Sequence, residues 1–186
     1  RKLPDLLAST RMLTCGEDLG MIPDCVPDVM KELRILSLEI QRMPKDTRSE
    51  FADTWHYPYL SVCATSTHDM SPLRAWWRED RGVTQRFWNQ VLGRQGEAPA
   101  DCNPDISRSI IMMHLQSASM LAILPLQDYL SLKPELCLSD PEKERINVPA
   151  ISPFYWRFRM KPTLESLMND DITEYIHGLV RECGRK

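Results

Sequence analysis

The feature that most constrains the fold of this chain is a short apolar run followed at once by polar residues, which recurs four times. The four runs are residues 12–15, 35–40, 61–64 and 121–124. Residues 44–59, between the second and third runs, are predicted to be a loop, and segments with helical character occur elsewhere between and after the runs. A repeated order of strand, loop and helix is typical of an α/β protein with a parallel sheet. We therefore predict about four parallel strands with helices packed outside them.

Polar residues gather where each predicted strand ends. The clusters are Gly16-Glu17-Asp18, Gln41-Arg42, His68-Asp69 and Gln127-Asp128. Because ligands bind at the carboxyl ends of strands in parallel α/β folds, these clusters are the main indication of function. A purely structural explanation stays open for each of them, since Asp18 and Asp69 could cap backbone amides and His68 could be a packed loop residue.

Proline and cap residues mark the predicted helix boundaries. Helices are predicted to begin at Pro27, at Ser71 as an N-cap and at Asn103 as an N-cap, because proline suits the first turn and Ser or Asn can bond its free amides. Apolar residues at helical spacing predict one long helix over residues 164–180. Gly184 is its expected end.

Composition argues against several classes of function. The 186 residues include 23 basic and 26 acidic side chains, a net charge of −3, so no nucleic-acid partner is predicted. No apolar run reaches 18 residues, so no membrane-spanning helix is predicted. The six cysteines form no C-x-x-C pair, so we predict no metal site, and we expect mostly buried, reduced thiols in a cytoplasmic protein.

The aromatic residues leave two interpretations open. Tryptophans on predicted helices could stack on sugar rings or pack in the core; they are Trp76, Trp77 and Trp88. Residues 155–159 alternate aromatic and basic side chains, which can bind nucleic acid, although one short stretch in an acidic chain is weak support. His68 could serve a hydrolase nucleophile at Cys63 or Ser66, but no nucleophile-elbow motif surrounds either residue.

Two motifs stand out when taken together: residues 15–23, CGEDLGMIP, and residues 65–69, TSTHD. They resemble the [A/G]-E-D-L-G-x-I-P and T-x-T-H-D signatures of the amylomaltase, or disproportionating-enzyme, family of 4-α-glucanotransferases. The order and spacing of the two motifs also match. Further segments are similar to the plant-type cytosolic branch, which also occurs in bacteria: residues 36–44, 73–80 and 155–160.

The resemblance implies a retaining α-glucan transferase on a (β/α)8 TIM barrel, of which this chain would be the C-terminal part. It implies that Glu17 is the general acid/base, that Asp69 stabilises the transition state and that His68 binds a donor-sugar hydroxyl. Further candidates for substrate binding are Asp18, which is also a candidate supporting partner, Gln127 and Asn147. The implied substrates are α-1,4-glucans, maltose and maltooligosaccharides, and no cofactor is implied.

The chain also departs from the family pattern. Ala150-Ile151 replaces a G-T pair and Phe154 replaces a histidine of the plant-type branch, which bears on the acceptor side of the site. The family's nucleophile, an aspartate in an R-x-D-H motif, has no counterpart here, although a retaining mechanism needs two carboxyl groups about 5–5.5 Å apart. With no initiator Met either, residues 1–186 are expected to form a single partial catalytic domain that is inactive alone.

Two other functions stay open at this stage. The chain could be a glucan-binding or interaction module that uses its tryptophans, or part of an α-glucan hydrolase. Half a barrel would leave two sheet edges unpaired, a situation that favours self-association.

Overall fold

A computed structural model describes residues 2–154 and 156–185, so Tyr155 of the predicted aromatic and basic segment lies outside the described residues. The chain divides into two compact units. Unit 1 comprises Arg1–Ala64 and Ser117–Ile123, and unit 2 comprises Thr65–Gln116 and Leu124–Lys186.

The described residues of unit 1 form a parallel sheet of three strands in the order β1-β2-β3. The strands are β1 (Ser37–Ile40), β2 (Ser61–Ala64) and β3 (Leu121–Ala122). The predicted α/β class with parallel strands is therefore confirmed. The predicted run 12–15 contributes a single parallel bridge, from Cys15 to Leu36. Met12 and Leu13 of this run are exposed and lie outside the core.

Two helices and a 3-10 turn complete the description of unit 1. They are α1 (Lys2–Ala8), α2 (Val26–Glu32) and the turn Thr54–His56. Helix α2 begins one residue before the predicted Pro27, and its Met30 side chain is buried. A Cβ added to Gly16 would lie 2.8 Å from Met30 Cε, so a larger residue at this position would require the end of the Met30 side chain to shift.

Unit 2 is mainly helical. Its α-helices are α3 (Leu73–Glu79), α4 (Arg81–Arg86), α5 (Pro104–Leu115), α6 (Leu126–Leu130), α7 (Leu164–Met168) and α8 (Ile172–Glu182). A π-helical turn, Phe87–Val91, continues α4, and 3-10 turns occupy Pro134–Leu136 and Pro141–Glu144. Trp76 and Trp77 are buried and pack edge-on against Phe87, with ring centroids 5.2 and 6.2 Å away. These two tryptophans therefore belong to the core.

The helix boundaries show which sequence signals were sufficient. Asn103 caps α5 by accepting a hydrogen bond from Ile106 N, as predicted. Ser71 does not cap α3, because its hydroxyl donates to Glu79 instead. The predicted helix 164–180 is wrong as a single helix: it is interrupted between α7 and α8, where Asp170 accepts from Ile172 N and starts the second helix. Gly184 follows α8 with φ of +70°, the left-handed conformation expected of a helix end.

The cysteines are free thiols. Cys63, Cys102 and Cys137 are buried, whereas Cys15 and Cys25 are exposed, so burial is less general than predicted. Burial raises the pKa of the Cys137 thiol to about 11. Among the described residues, no helix is long and apolar enough to cross a membrane.

Candidate active site

The Glu17 loop, which we define as residues 16–20, belongs to unit 1 and follows the bridge residue Cys15. Its start is tied to the sheet, because Gly16 N donates to Leu36 O at 2.7 Å and Leu36 N donates to Thr14 O at 3.0 Å. Gly20 has φ of +76°, which a residue with a side chain rarely adopts, and it lets the chain turn. Glu17 is exposed, and its carboxylate has no hydrogen-bond partner within the described part of unit 1.

Asp18, next in sequence, is in the opposite situation: it is only 7% exposed and fully engaged. Its Oδ1 accepts a hydrogen bond from Leu38 N at 2.8 Å, and its Oδ2 accepts one from Lys45 Nζ at 2.7 Å. Lys45 also donates to Glu39 at 2.8 Å, and Glu39 accepts a further bond from the Ser37 hydroxyl at 2.7 Å. Asp18 therefore anchors the Glu17 loop to β1 and to the segment after it.

A cavity of about 580 Å³ opens beside this network in unit 1. Its lining includes the charged groups Asp18, Glu39 and Lys45 and the apolar side chains Met30 and Ile35. Because the charged groups already bond one another, they are satisfied without a ligand.

The Asp69 loop, residues 65–72, belongs to unit 2 and follows the last residue of β2 in sequence. Both His68 and Asp69 are exposed. Asn147 contacts both: its Nδ2 donates to Asp69 Oδ1 at 2.5 Å, and its main-chain N donates to His68 O at 3.1 Å. His68 Nε2 lies 3.4 Å from Asp69 Oδ2. The predicted residues His68, Asp69 and Asn147 are thus brought together within unit 2.

Trp156 extends this cluster. Its ring centroid lies 5.1 Å from that of His68, with 37° between the ring planes, and its side chain is 60% exposed. An exposed indole beside polar groups is a surface on which a sugar ring can stack.

A buried carboxylate, Asp128, holds both ends of the Asp69 loop. Its Oδ2 accepts from Thr65 Oγ1 at 2.5 Å, and its Oδ1 accepts from Leu73 N, the first residue of α3, at 2.8 Å. Asp128 thereby takes the capping role that the sequence had offered to Ser71 or Asp69. The sequence indicated Asp128 as part of a polar cluster, in a segment that resembles the end of the last barrel strand of the family. Nothing local in the sequence indicated its bond to Leu73, 55 residues away.

Gln127, predicted to bind substrate, points into the interior of unit 2. It is 5% exposed, and its Nε2 donates to Glu144 O at 3.2 Å. The Glu144 carboxylate in turn pairs with Arg74 of α3 at 2.6 Å. Burial raises the pKa of Glu144, and the nearby Arg74 charge opposes that rise. These contacts give Gln127 a supporting position behind the exposed cluster.

The predicted site residues fall on both units: Glu17 and Asp18 on unit 1, and His68, Asp69, Gln127 and Asn147 on unit 2. Sequence reasoning did not find Lys45, which lies in neither signature motif, and it did not find the supporting role of Asp128. Among the described residues, no group of three His, Cys, Asp or Glu side chains could hold a metal ion.

Comparison with known proteins identifies the family of this chain. The family model described as 4-alpha-glucanotransferase matches residues 2–165. This chain belongs to that family. A 4-alpha-glucanotransferase of rice (Oryza sativa subsp. japonica), DPE2, is 47% identical over the whole chain, which spans 20% of the rice protein. A 4-alpha-glucanotransferase of Chlamydia caviae is 33% identical over 91% of this chain and 32% of its own length.

Solved structures of 4-alpha-glucanotransferase relatives agree with the fold. The amylomaltase of Streptococcus agalactiae, in complex with acarbose, superposes with a TM-score of 0.72 at 17% identity, covering 98% of this chain and 35% of that one. The amylomaltase of Corynebacterium glutamicum gives a TM-score of 0.63 at 15% identity, with 90% and 28% covered. Amylomaltases have a TIM-barrel fold, so the predicted barrel class is confirmed, and the chain spans about a third or less of these relatives.

Proposed function

We propose that this chain supplies the acid/base and the stabilising carboxylate of a retaining 4-α-glucanotransferase. The observation that carries the proposal is the arrangement of the T-S-T-H-D motif in unit 2. There Asp69 is exposed, is held by Asn147 and has His68 and Trp156 beside it. An exposed carboxylate held in place beside an imidazole and an aromatic ring matches what a sugar-binding catalytic site requires.

In this proposal Glu17 carries out both proton transfers. It first protonates the departing glucosidic oxygen, and it then removes the proton from the acceptor sugar's hydroxyl. Its exposure, and the lack of a hydrogen-bond partner within the described part of unit 1, support this role because the carboxyl must be accessible to two different sugars.

Asp69 stabilises the positive charge that develops on the sugar ring as the glucosidic bond breaks. The charge-assisted bond from Asn147 keeps this carboxylate in one orientation. His68, the nearest imidazole, would donate to a hydroxyl of the same sugar, and Trp156 would provide a face for stacking. Asp18 and Gln127 act as supports of the site, since both are buried.

The nucleophile that completes the reaction comes from a part of the protein outside these 186 residues. A retaining transfer passes through a covalent glycosyl intermediate, and this chain has no R-x-D-H motif to supply the attacking aspartate. The donor and acceptor substrates would be maltose, maltooligosaccharides and larger α-1,4-glucans. The 186-residue chain alone is expected to show no disproportionation of maltotriose.

A hybrid enzyme, in which this chain replaces the matching segment of the rice relative, tests the proposal. We expect the hybrid to disproportionate maltotriose, and we expect Glu17→Gln and Asp69→Asn each to lower kcat about 10²- to 10⁴-fold. Glu135→Gln, at an exposed acid of unit 2, is the control and should leave kcat unchanged. A folded hybrid without transfer, or one that keeps full activity after Glu17→Gln, would refute the proposal.

The same assay separates transfer from hydrolysis, the reaction of the alternative enzyme class. A transferase forms longer and shorter oligosaccharides in step, whereas a hydrolase releases reducing sugar without needing an acceptor. Net release of reducing ends as the main reaction would favour the hydrolase.

A second candidate function, glucan binding without catalysis, is favoured by one observation: Trp156 is exposed beside His68. Trp76 and Trp77 cannot contribute because they are buried. Titration calorimetry of the 186-residue chain with maltoheptaose should give heat that Trp156→Ala removes and that Trp55→Ala, at an exposed tryptophan of unit 1, does not. Absence of heat at millimolar sugar would end this idea.

Self-association through open sheet edges and a cytoplasmic location stay predictions from the sequence. Light scattering over a wide concentration range tests the first: a monomer throughout would contradict it.

A further inference from the structure

We propose that Lys45 is a positioning residue for Glu17, an inference that rests on the proposed acid/base role of Glu17. Lys45 follows β1 and belongs to neither signature motif. Its ammonium lies within hydrogen-bond distance of two carboxylates, at 2.7 Å from Asp18 and 2.8 Å from Glu39. The Lys45 side chain is 31% exposed, whereas both carboxylates are largely buried.

The Asp18 side chain is the anchor through which Lys45 acts. Between Glu17 and Gly20, the Asp18 carboxylate is the one group that is hydrogen-bonded within the described part of unit 1. One of its bonds comes from the β1 main chain at Leu38 N, and the other comes from Lys45. On its N-terminal side the backbone that carries Glu17 is held by the bond from Gly16 N to Leu36 O, and on its C-terminal side it is held by the Asp18 side chain. Of the two donors to Asp18, Lys45 is the charged one.

Charge explains why Leu38 N alone would not be sufficient. Asp18 and Glu39 both approach the Lys45 ammonium, so removing that ammonium leaves two like charges close together and largely out of water. Glu39 keeps the Ser37 hydroxyl as a donor. Asp18 lies within the Glu17 loop, whereas Glu39 lies in β1, so displacement of the Asp18 carboxylate would move the adjacent Glu17.

Three variants separate positioning from general stability. Lys45→Met keeps the unbranched side chain up to the position of Cε and removes its charge, and Lys45→Arg keeps the charge. Lys31→Met is the matched control: Lys31 lines the same cavity, is exposed, and bonds neither Asp18 nor Glu39.

Hydrogen exchange of the 186-residue chain, followed by NMR, measures the bond between Leu38 N and Asp18 and does not require enzymatic activity. In Lys45→Met the Leu38 amide should exchange at least about tenfold faster, because a hydrogen bond to a charged group is weakened or lost. The amides of β2 should keep their rates, and Lys45→Arg should restore the Leu38 rate. Equal acceleration throughout unit 1 would mean that Lys45 is merely structural and would overturn the proposal.

The kinetic constants of the hybrid enzyme test whether Lys45 affects the function of Glu17. Lys45→Met should lower kcat about 10- to 100-fold with KM nearly unchanged, since a displaced proton donor slows chemistry more than it weakens binding. Lys45→Arg should recover most of kcat, and Lys31→Met should leave it unchanged. If Glu17→Gln is inactive while Lys45→Met is fully active, positioning by Lys45 fails and the proposed function survives. If Glu17→Gln is fully active, the proposed function itself fails.

Discussion

The Glu17 loop of unit 1 and the Asp69 loop of unit 2 hold their acids in different ways. In the Asp69 loop the candidate carboxylate is itself bonded, by Asn147 at 2.5 Å. In the Glu17 loop the candidate carboxylate has no partner within the described part of unit 1, and the neighbouring Asp18 receives the hydrogen bonds instead. One acid is fixed through its own oxygen atoms, and the other through the backbone.

This difference matches the chemistry proposed for each acid. A carboxylate that stabilises positive charge works best when its charge and position are constant, and a direct amide donor provides both. A carboxyl that donates and then accepts a proton must exchange partners during the reaction, so a strong bond to its own oxygens would compete with substrate. Support from the adjacent residue holds such a group in place without occupying it.

The largest expected effect concerns the support of the Asp69 loop. Asp128→Ala leaves the buried Thr65 hydroxyl and Leu73 amide without their acceptor, and it should lower the free energy of unfolding by about 3 kcal/mol. Urea unfolding followed by circular dichroism measures it. The exposed Glu135→Ala should change stability by less than about 0.5 kcal/mol. An equal effect of both changes would show that Asp128 does not hold the loop.

Next in size is the direct bond to Asp69. In the hybrid enzyme Asn147→Ala should lower kcat about tenfold, because a hydrogen bond to a charged group is lost at an exposed site. Asn169→Ala is a suitable control, since Asn169 donates only to a main-chain oxygen within α7. If Asn147→Ala left kcat intact, the contrast between a bonded and an unbonded acid would have no functional meaning.

A smaller effect should appear in how the free energy of unfolding depends on pH. It concerns Glu144 of unit 2, which pairs with Arg74 of α3. Because burial raises the pKa of Glu144 above its ordinary 4.5, the folded chain holds this proton more tightly than the unfolded chain. The contribution of Glu144 to the free energy of unfolding should therefore fall as the pH rises from just below 4.5 through the folded-state pKa. Glu144→Gln should flatten the pH profile of the unfolding midpoint in that window, and an unchanged profile would contradict the assignment.

The smallest effect is expected at an exposed ion pair in the segment that also contains Lys45. The Arg48 side chain holds the pKa of Asp46 at about 2, mainly through a side-chain hydrogen bond. Carboxyl NMR should show a midpoint near that value, which Arg48→Met should move toward 3.8. Because this pair is solvent-exposed, Arg48→Met should leave kcat of the hybrid unchanged. A loss of kcat like that of Lys45→Met would remove the distinction between the two cations.

Local patterns in the sequence were enough to predict several features. The run 61–64 coincides with β2, and Asn103 caps α5, since both depend on neighbouring residues. The single helix predicted over 164–180 was wrong because apolar periodicity does not register the Asp170 side chain, which accepts a hydrogen bond from Ile172 N at the start of α8.

The sequence by itself determined the α/β class, the parallel strands and the two motifs that contain Glu17 and Asp69, because short-range apolar periodicity and contiguous residues encode them. Only the tertiary structure decided which side chains support those acids. Asn147 meets Asp69 across 78 positions, and Asp128 meets Thr65 across 63. Such pairs form where folding brings distant segments together, and burial in the same step separates the core residues Trp76 and Trp77 from the exposed Trp156.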